Sequence, residues 1–397
     1  MRNHASLFMG IALFLASLNL RPAINSVSPL LQAIRGDLGM SAFAASLLTS
    51  IPVLCMGIFS PLAARLGRRL GIERVIGWSL AVIGLGNAMR IATHSGLMML
   101  LTAFVAGVGI AAVGPLLSGF IKSRFPTRVP AMISLYTAAL AIGATAASGM
   151  SIPLQAGLHA WQNSLAVWSL LALVAYAFWR LTAQRASSRQ ESVSAIASSG
   201  SKSAWRNGKA WLLTMSFGAL AMLFYSLTAW LPPIVQEMGF GKAYAAGMLT
   251  LFSITQVPVG LLLPMLLKRV PSRFVWLLTG SAFLLVGFTM LELSLVPWLA
   301  VILIGFGPGI LFPLNLMMPI EATGNAQEAA NWSAMTQSFG YVIGAIGPLA
   351  LGLLHDATGG SSSALVAGMM LITLAMLAIQ FSLFPAGKSR RRVALQN

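Results

Sequence analysis

The stretch SPLAARLGRR, Ser60 to Arg69, closes one long apolar run and leads into another. The run before it covers about 42–64 and the run after it about 72–91. At 1.5 Å per residue each is long enough to cross a hydrocarbon core of ~30 Å. Between them stand Arg65, Arg68 and Arg69, with no acid. Positive charge gathered between two apolar runs marks a short loop on the cytoplasmic face of a membrane, where Lys and Arg accumulate.

Runs of this kind recur along the chain. They lie at about 6–34, 42–64, 72–91, 97–121, 129–152, 162–182, 210–236, 243–267, 274–293, 296–319, 327–354 and 362–385. With the N-terminus inside, 21 of the 25 basic residues fall in cytoplasmic segments, and Arg35, Arg90 and Lys242 fall in outside loops. That asymmetry predicts a multi-pass membrane protein with both termini cytoplasmic. The composition agrees: 57% hydrophobic, 8% charged, mean hydropathy +0.83, against about 25% charged in soluble domains. The net charge of +17 is spread over loops, so it predicts topology and no nucleic-acid partner. Cys55 is the single cysteine, which excludes an intrachain disulfide and a cysteine metal cluster. No small-residue cleavage site follows a short apolar region, so the first span is expected to be retained.

The fold class expected is therefore an all-α membrane protein of twelve transmembrane helices. Residues 184–208 (QRASSRQESVSAIASSGSKSAWRNG) are Ser-rich and polar and are expected to be a cytoplasmic linker. It divides an N-terminal six-helix half, 1–183, from a C-terminal half, 209–397, that ends in a basic cytoplasmic tail. The halves echo each other. At an offset of 203, Pro29 meets Pro232, Gly57 meets Gly260, Pro61 meets Pro264 and Arg65 meets Lys268. At an offset of 200, Gly107-Val-Gly109-Ile110 meets Gly307-Pro-Gly309-Ile310. A parallel repeat of two six-span halves places a solute site at their interface near the bilayer midplane.

With that topology, Ser60–Arg69 resembles the major facilitator signature G-x-L-A-D-R-x-G-R-K. Leu62, Ala63, Arg65, Gly67 and Arg68 match, Arg69 stands for Lys, and Ser60 and Ala64 depart from it. In that family this loop latches the halves, so the resemblance implies a latch role for Arg65, Gly67, Arg68 and Arg69; the missing acid at Ala64 removes one part of it. LNLRPAINSVSPLL in the first span, GVGIAAVGPLLSGFIKSRFP (107–126), YSLTAWLPPIVQEMG (225–239) and AMTQSFGYVIGAIGPLALGLLHDATG (334–359) resemble the cyanate and 2-nitroimidazole transporter branch of the superfamily. The resemblance implies a secondary active or facilitative carrier working by alternating access.

In the first span, Arg21 lies ~21 Å along a helix from Leu7, where an arginine costs roughly 2.5–3.5 kcal/mol on insertion scales. At helical spacing Arg21, Asn25, Ser28 and Gln32 share one polar stripe. Pro22 and Pro29 cannot donate to the carbonyls of Leu18 and Asn25, which predicts a bent, hydrated helix. The eight acids and four histidines are all expected in loops or at span ends, so no counter-ion lies at the depth of Arg21. An anionic or polar small-molecule substrate would complete the charge, since a guanidinium is a planar donor fork suited to such groups. The competing reading turns Arg21 outward or onto backbone carbonyls.

Further candidate cavity residues are Asn25, Tyr136, Tyr225, Gln256, Asn315, Gln337 and Tyr341; interhelical hydrogen bonding competes with ligand contact at each. The family's cavity is lined by spans one, four, seven and ten, which favours Tyr225 and Asn315. Uptake of a cyanate-like anion is the leading expectation. Export of nitroimidazole-like or drug-like molecules is the alternative. A membrane-embedded enzyme would need an acid, base or metal cluster at depth, and none is present. No cofactor and no metal are expected. A co-transported proton stays open, with Glu321 as its nearest carboxylate. The partners expected are the lipid bilayer and the solute, with function as a monomer. His355-Asp356 is expected in an outside loop, capping a helix end.

Overall fold

The structure, a computed structural model, describes residues 2–125, 128–187, 206–323 and 326–383. Among them there is no strand, and twelve helical spans are long and apolar enough to cross a membrane. They are Leu7–Leu38, Ala42–Gly67, Ile72–Ala92, Gly96–Ile121, Leu135–Leu158, Trp161–Thr182, Gly208–Glu237, Lys242–Arg269, Arg273–Glu292, Pro297–Pro319, Trp332–Ala357 and Ser362–Leu383. They form two pseudo-symmetric halves of six. Most of the expected linker, 188–205, and the tail, 384–397, lie outside the described residues.

The first span is broken where its prolines predict. A helix from Arg2 to Leu18 stops, a short helical turn runs Pro22–Asn25, a 3-10 turn runs Ser28–Leu30, and a last helix runs Leu31–Leu38. The polar stripe drawn for a continuous helix is therefore split: Asn25 and Ser28 are buried, while Arg21 and Gln32 are only partly so. The carbonyl of Leu18 faces Gly143 of the fifth span, where an added Cβ would strike it. Only glycine permits that approach.

The second span is capped by Ser41, whose hydroxyl accepts from the Ala44 amide at 3.1 Å, and runs as one helix from Ala42 to Leu70. Ser60–Arg69 is thus a helical extension and not an open loop. It ends at Gly71, where φ is 91°. Arg65 and Arg69 are exposed, Gly67 is buried against Leu116, and the side chain of Arg68 lies outside the described residues. Beside them, Glu73 pairs with Arg124 at 2.7 Å, and the indole of Trp179 donates to the Glu73 carbonyl at 2.8 Å. These contacts join the third, fourth and sixth spans within one half.

The halves meet mainly where the second span packs on the eleventh and the fifth on the eighth. Polar contacts cross between them at several points. The Ser28 hydroxyl donates to the Ala229 carbonyl at 2.9 Å. Ser148 and Thr250 share a hydroxyl bond of 3.0 Å. At the end opposite the linker, the Asp356 carboxylate accepts from the amides of Ala42, at 3.0 Å, and Phe43, at 2.9 Å. Asp356 does cap a helix end, that of the second span, but from inside the eleventh helix and not from a loop.

Two expectations are corrected. Arg90 is not in a loop: it lies in a 3-10 turn, Met89–Ala92, that closes the third span, and its side chain is wholly buried. His355 is inside the eleventh helix, 6% exposed, 3.0 Å from Glu237 and packed on Trp230. In both cases the helix runs past the polar residue that marks its end in the sequence, and the side chain turns inward to a partner.

Candidate functional site

Arg21 occupies the gap left by the break in the first span, because Pro22 has no amide to continue the ladder and serves instead as the first residue of the next turn. The Arg21 carbonyl accepts from the amides of Ile24, at 3.0 Å, and Asn25, at 2.9 Å, so the turn hangs from this residue. Its guanidinium leaves the N-terminal half and meets the seventh span. Nη1 donates to the Tyr225 hydroxyl at 3.4 Å. The guanidinium carbon lies 4.8 Å from the centroid of Phe224 and 5.7 Å from that of Tyr225.

Behind these two rings stands an aromatic wall from the C-terminal half. Phe224 and Tyr225 pack edge to face, 5.2 Å apart. Phe252 and Phe312 lie 5.8 and 5.7 Å from Phe224. Tyr341 lies 6.3 Å from Tyr225 and 5.3 Å from Phe217. The N-terminal half adds Met56, whose sulfur accepts from the Tyr225 hydroxyl at 3.7 Å, and Tyr136, close enough to feel the charge of Arg21. Ion pairs among the described residues join Glu73–Arg124, Glu321–Arg273 and Glu237–His355 and do not include Arg21. A cation over aromatic faces gains about 0.5–2 kcal/mol, more when dry. Among the described residues the guanidinium makes one long bond, to Tyr225, which leaves donors for a ligand.

Of the residues expected here, the structure brings together Arg21, Tyr136, Tyr225 and Tyr341. Gln337 is half-buried one turn before Tyr341. Gln256 is half-buried and donates to the carbonyl of Phe252 on its own helix, at 3.0 Å. Asn315 is not in the group: it is buried between the tenth and seventh spans, accepting from Ser216 at 2.8 Å and donating to Leu311 at 2.9 Å. Asn25 is wholly buried, with neither amide atom partnered among the described residues. Sequence reasoning missed Phe217, Phe224 and Met56. Phe217 and Phe224 are seven apart on one face of the seventh span, next to Tyr225, and that spacing is a usable signal. Met56 carries none. Glu321 is held by Arg273 at 2.9 Å, at the linker end and away from Arg21.

A site at the junction of two six-helix halves, on a broken first helix, defines the class: a membrane carrier built from a parallel repeat. The chain belongs to the Major Facilitator Superfamily, whose model matches residues 7–348. It is 36% identical over 346 residues to the transporter YycB of Bacillus subtilis (strain 168), covering 86% of this chain and 84% of that one. It is 31% identical to the 2-nitroimidazole transporter of Escherichia coli (strain K12), covering 94% of each. It is 30% identical to the cyanate transport protein CynX of the same organism, covering 94% of this chain and 98% of that one. Among solved structures it is similar in fold to the nucleoside transporter NupG, at TM-score 0.72 and 14% identity over 97% of this chain and 99% of the other. It also resembles a bacterial homologue of the lysosomal transporter Spinster, at TM-score 0.69 and 15% identity over 96% and 95%. The protein is a multi-pass membrane transporter of small solutes and not an enzyme.

Proposed function

We propose that the protein carries a small planar solute, anionic or strongly dipolar, across the bacterial inner membrane, with Arg21 as its cationic anchor. The observation that supports this is a guanidinium at the junction of the halves, laid on Phe224 and Tyr225 and absent from every ion pair among the described residues. Buried or half-buried charge seeks a partner, and a substrate oxygen or nitrogen bearing negative charge provides one through charge-assisted bonds. The aromatic wall adds flat apolar surface for a ring or a linear π system. Cyanate and nitro-substituted heteroaromatics both combine these features, and relatives with those substrates are 30–31% identical to this chain.

The linker end is taken as cytoplasmic from the distribution of Lys and Arg. Uptake of the anion is the leading direction. Export of a nitroaromatic is the alternative, favoured by the extent of the aromatic wall. The polar groups around Arg21 are tyrosines and not carboxylates, so a co-transported proton would travel with the solute. The seventh and eleventh spans supply the aromatic side and the first and fifth the charged side, so one chain forms the whole site.

Purified protein in liposomes tests the reading. Labelled cyanate and 2-nitroimidazole should exchange across the membrane, and Arg21→Ala should weaken binding about 10- to 100-fold, the worth of one charged hydrogen bond. Unaltered affinity in Arg21→Ala would remove the anchor role.

A further inference from the structure

The first span carries a second buried arginine contact that the anchor role of Arg21 does not explain. Arg90, at the end of the third span, is fully buried, and its Nη2 donates to the carbonyl of Ala23 at 2.8 Å. That carbonyl is free for a backbone reason. The amide of Val27, which would take it in a regular helix, turns to the carbonyl of Ile24 at 3.3 Å. The 3-10 turn Met89–Ala92 tightens the end of the third span and aims Arg90 inward at this break. The pairs formed by acids among the described residues do not include Arg90. Its Nε and Nη1 are buried without a partner among the described residues, as is Oδ1 of Asn87, one turn earlier.

A lone buried guanidinium is costly, so a site that keeps one needs a use for it. Ala23 is two residues from Arg21, inside the turn whose other bonds begin at the Arg21 carbonyl. Moving Ala23 rotates that turn and withdraws the Arg21 side chain from Phe224 and Tyr225. The other contacts to the break are neutral. Ser151 donates to the Ser26 carbonyl at 2.9 Å, and Asn19 donates to the Leu15 carbonyl at 2.8 Å. Among the described residues, the one charged side chain that another span brings to the break comes from the third, which supplies no side chain to the aromatic wall.

We infer that Arg90 is a positioning residue: it braces the broken first span through the Ala23 carbonyl and so sets the affinity of Arg21 for an anionic solute. This rests on the proposed anchor role of Arg21. The brace itself can be measured without a solute.

The test uses full-length protein in nanodiscs, with Arg90→Met, Arg90→Leu and Arg90→Lys. Backbone hydrogen exchange is followed in peptides covering 16–31, and affinity and maximal exchange rate are measured with cyanate and 2-nitroimidazole. Arg90→Met should speed exchange in 16–31 but not in the seventh span. It should weaken cyanate binding on the order of tenfold, with the maximal rate within about twofold. Arg90→Lys should restore most of both, because an ammonium can still donate to a carbonyl. In an Arg21→Ala background, Arg90→Met should cost no further affinity. Unchanged exchange in 16–31, or an equal affinity loss with and without Arg21, would overturn the inference. If Arg90→Met does not fold, Arg90→Leu, which likewise has no donor, is judged by the same two criteria. If the wild type binds neither probe, the substrate reading fails while the exchange measurement still decides the brace.

Discussion

Replacing Asp356 with Ala should open the end of the bundle opposite the linker. The carboxylate sits at the last turn of the eleventh helix and takes the amides of Ala42 and Phe43, at 3.0 and 2.9 Å, at the start of the second. These are two of the four amides a helix N-terminus leaves without partners. A side-chain cap at such a position is worth about 0.5–2 kcal/mol, and an anion there adds about 0.3–1 kcal/mol through the helix dipole. Asp356 is exposed, so screening brings the sum to the lower half, about 1.5 kcal/mol. The bond joins the two halves, so in a carrier that alternates access it would form only when this end is closed. Its loss should therefore shift the closed-to-open ratio about tenfold. Asp356→Asn, with one neutral acceptor, should fall between. Cys55, the single cysteine, can be changed to Ala and spin labels placed at Gly157 and Gly241, one in each half, where an added Cβ meets nothing within 4 Å. The distance distribution between them reports the ratio. High salt should narrow the difference between wild type and variant. Identical distributions for wild type and Asp356→Ala would refute the reasoning.

Gly143→Ala should lower the melting temperature in detergent, because its Cβ meets the Leu18 carbonyl; overpacking of this kind costs about 1–3 kcal/mol. Gly10→Ala, with open space around it, is the control, and equal melting of the two would contradict the close approach. Glu73→Gln should destabilise by about 2 kcal/mol, since it removes the charge from a pair whose side chains are only 11% and 13% exposed. A melting temperature equal to that of the wild type would argue against the pair. Phe224→Leu removes the ring 4.8 Å from the guanidinium and should weaken 2-nitroimidazole binding by about 1 kcal/mol, some fivefold; binding at wild-type strength would show the wall to be mere packing.

The architecture was legible because it depends on quantities a sequence displays directly: lengths of apolar runs and signs of charges between them. Arg21 was legible for the same reason, as a charge out of place in such a run. Arg90 was hidden by the same reasoning. An arginine near the end of an apolar run satisfies the rule for loops, and only the 3-10 turn that folds it under the helix shows otherwise. His355 was misplaced likewise, because its partner Glu237 lies 118 positions away. Asn315 shows the converse. A polar residue at membrane depth does need partners, but Ser216 and a backbone carbonyl satisfy it as well as a solute would. Periodicity finds the polar residue and is silent about which neighbour answers it.

The prolines connect these observations. In a bilayer core a carbonyl released by proline has no water to turn to, so another span has to approach or donate to it. Pro22 releases the carbonyl of Leu18, and Gly143 admits the fifth span against it. Pro233 releases that of Ala229, and Ser28 of the other half donates to it. Each break in a helix thus becomes a socket for a neighbour. The Ser28–Ala229 socket differs from the Leu18 one because its two sides belong to different halves and separate if the halves rock. Ser28→Ala should then affect the state closed at the Asp356 end more than the open one. In the closed state the variant leaves a buried carbonyl bare, at about 1–3 kcal/mol, whereas in the open state that carbonyl faces the widened gap and its water. The same spin-label pair measures this. A shift toward the open form, in the direction of Asp356→Ala, is the expected result, and an unchanged ratio would show that the contact persists through the cycle.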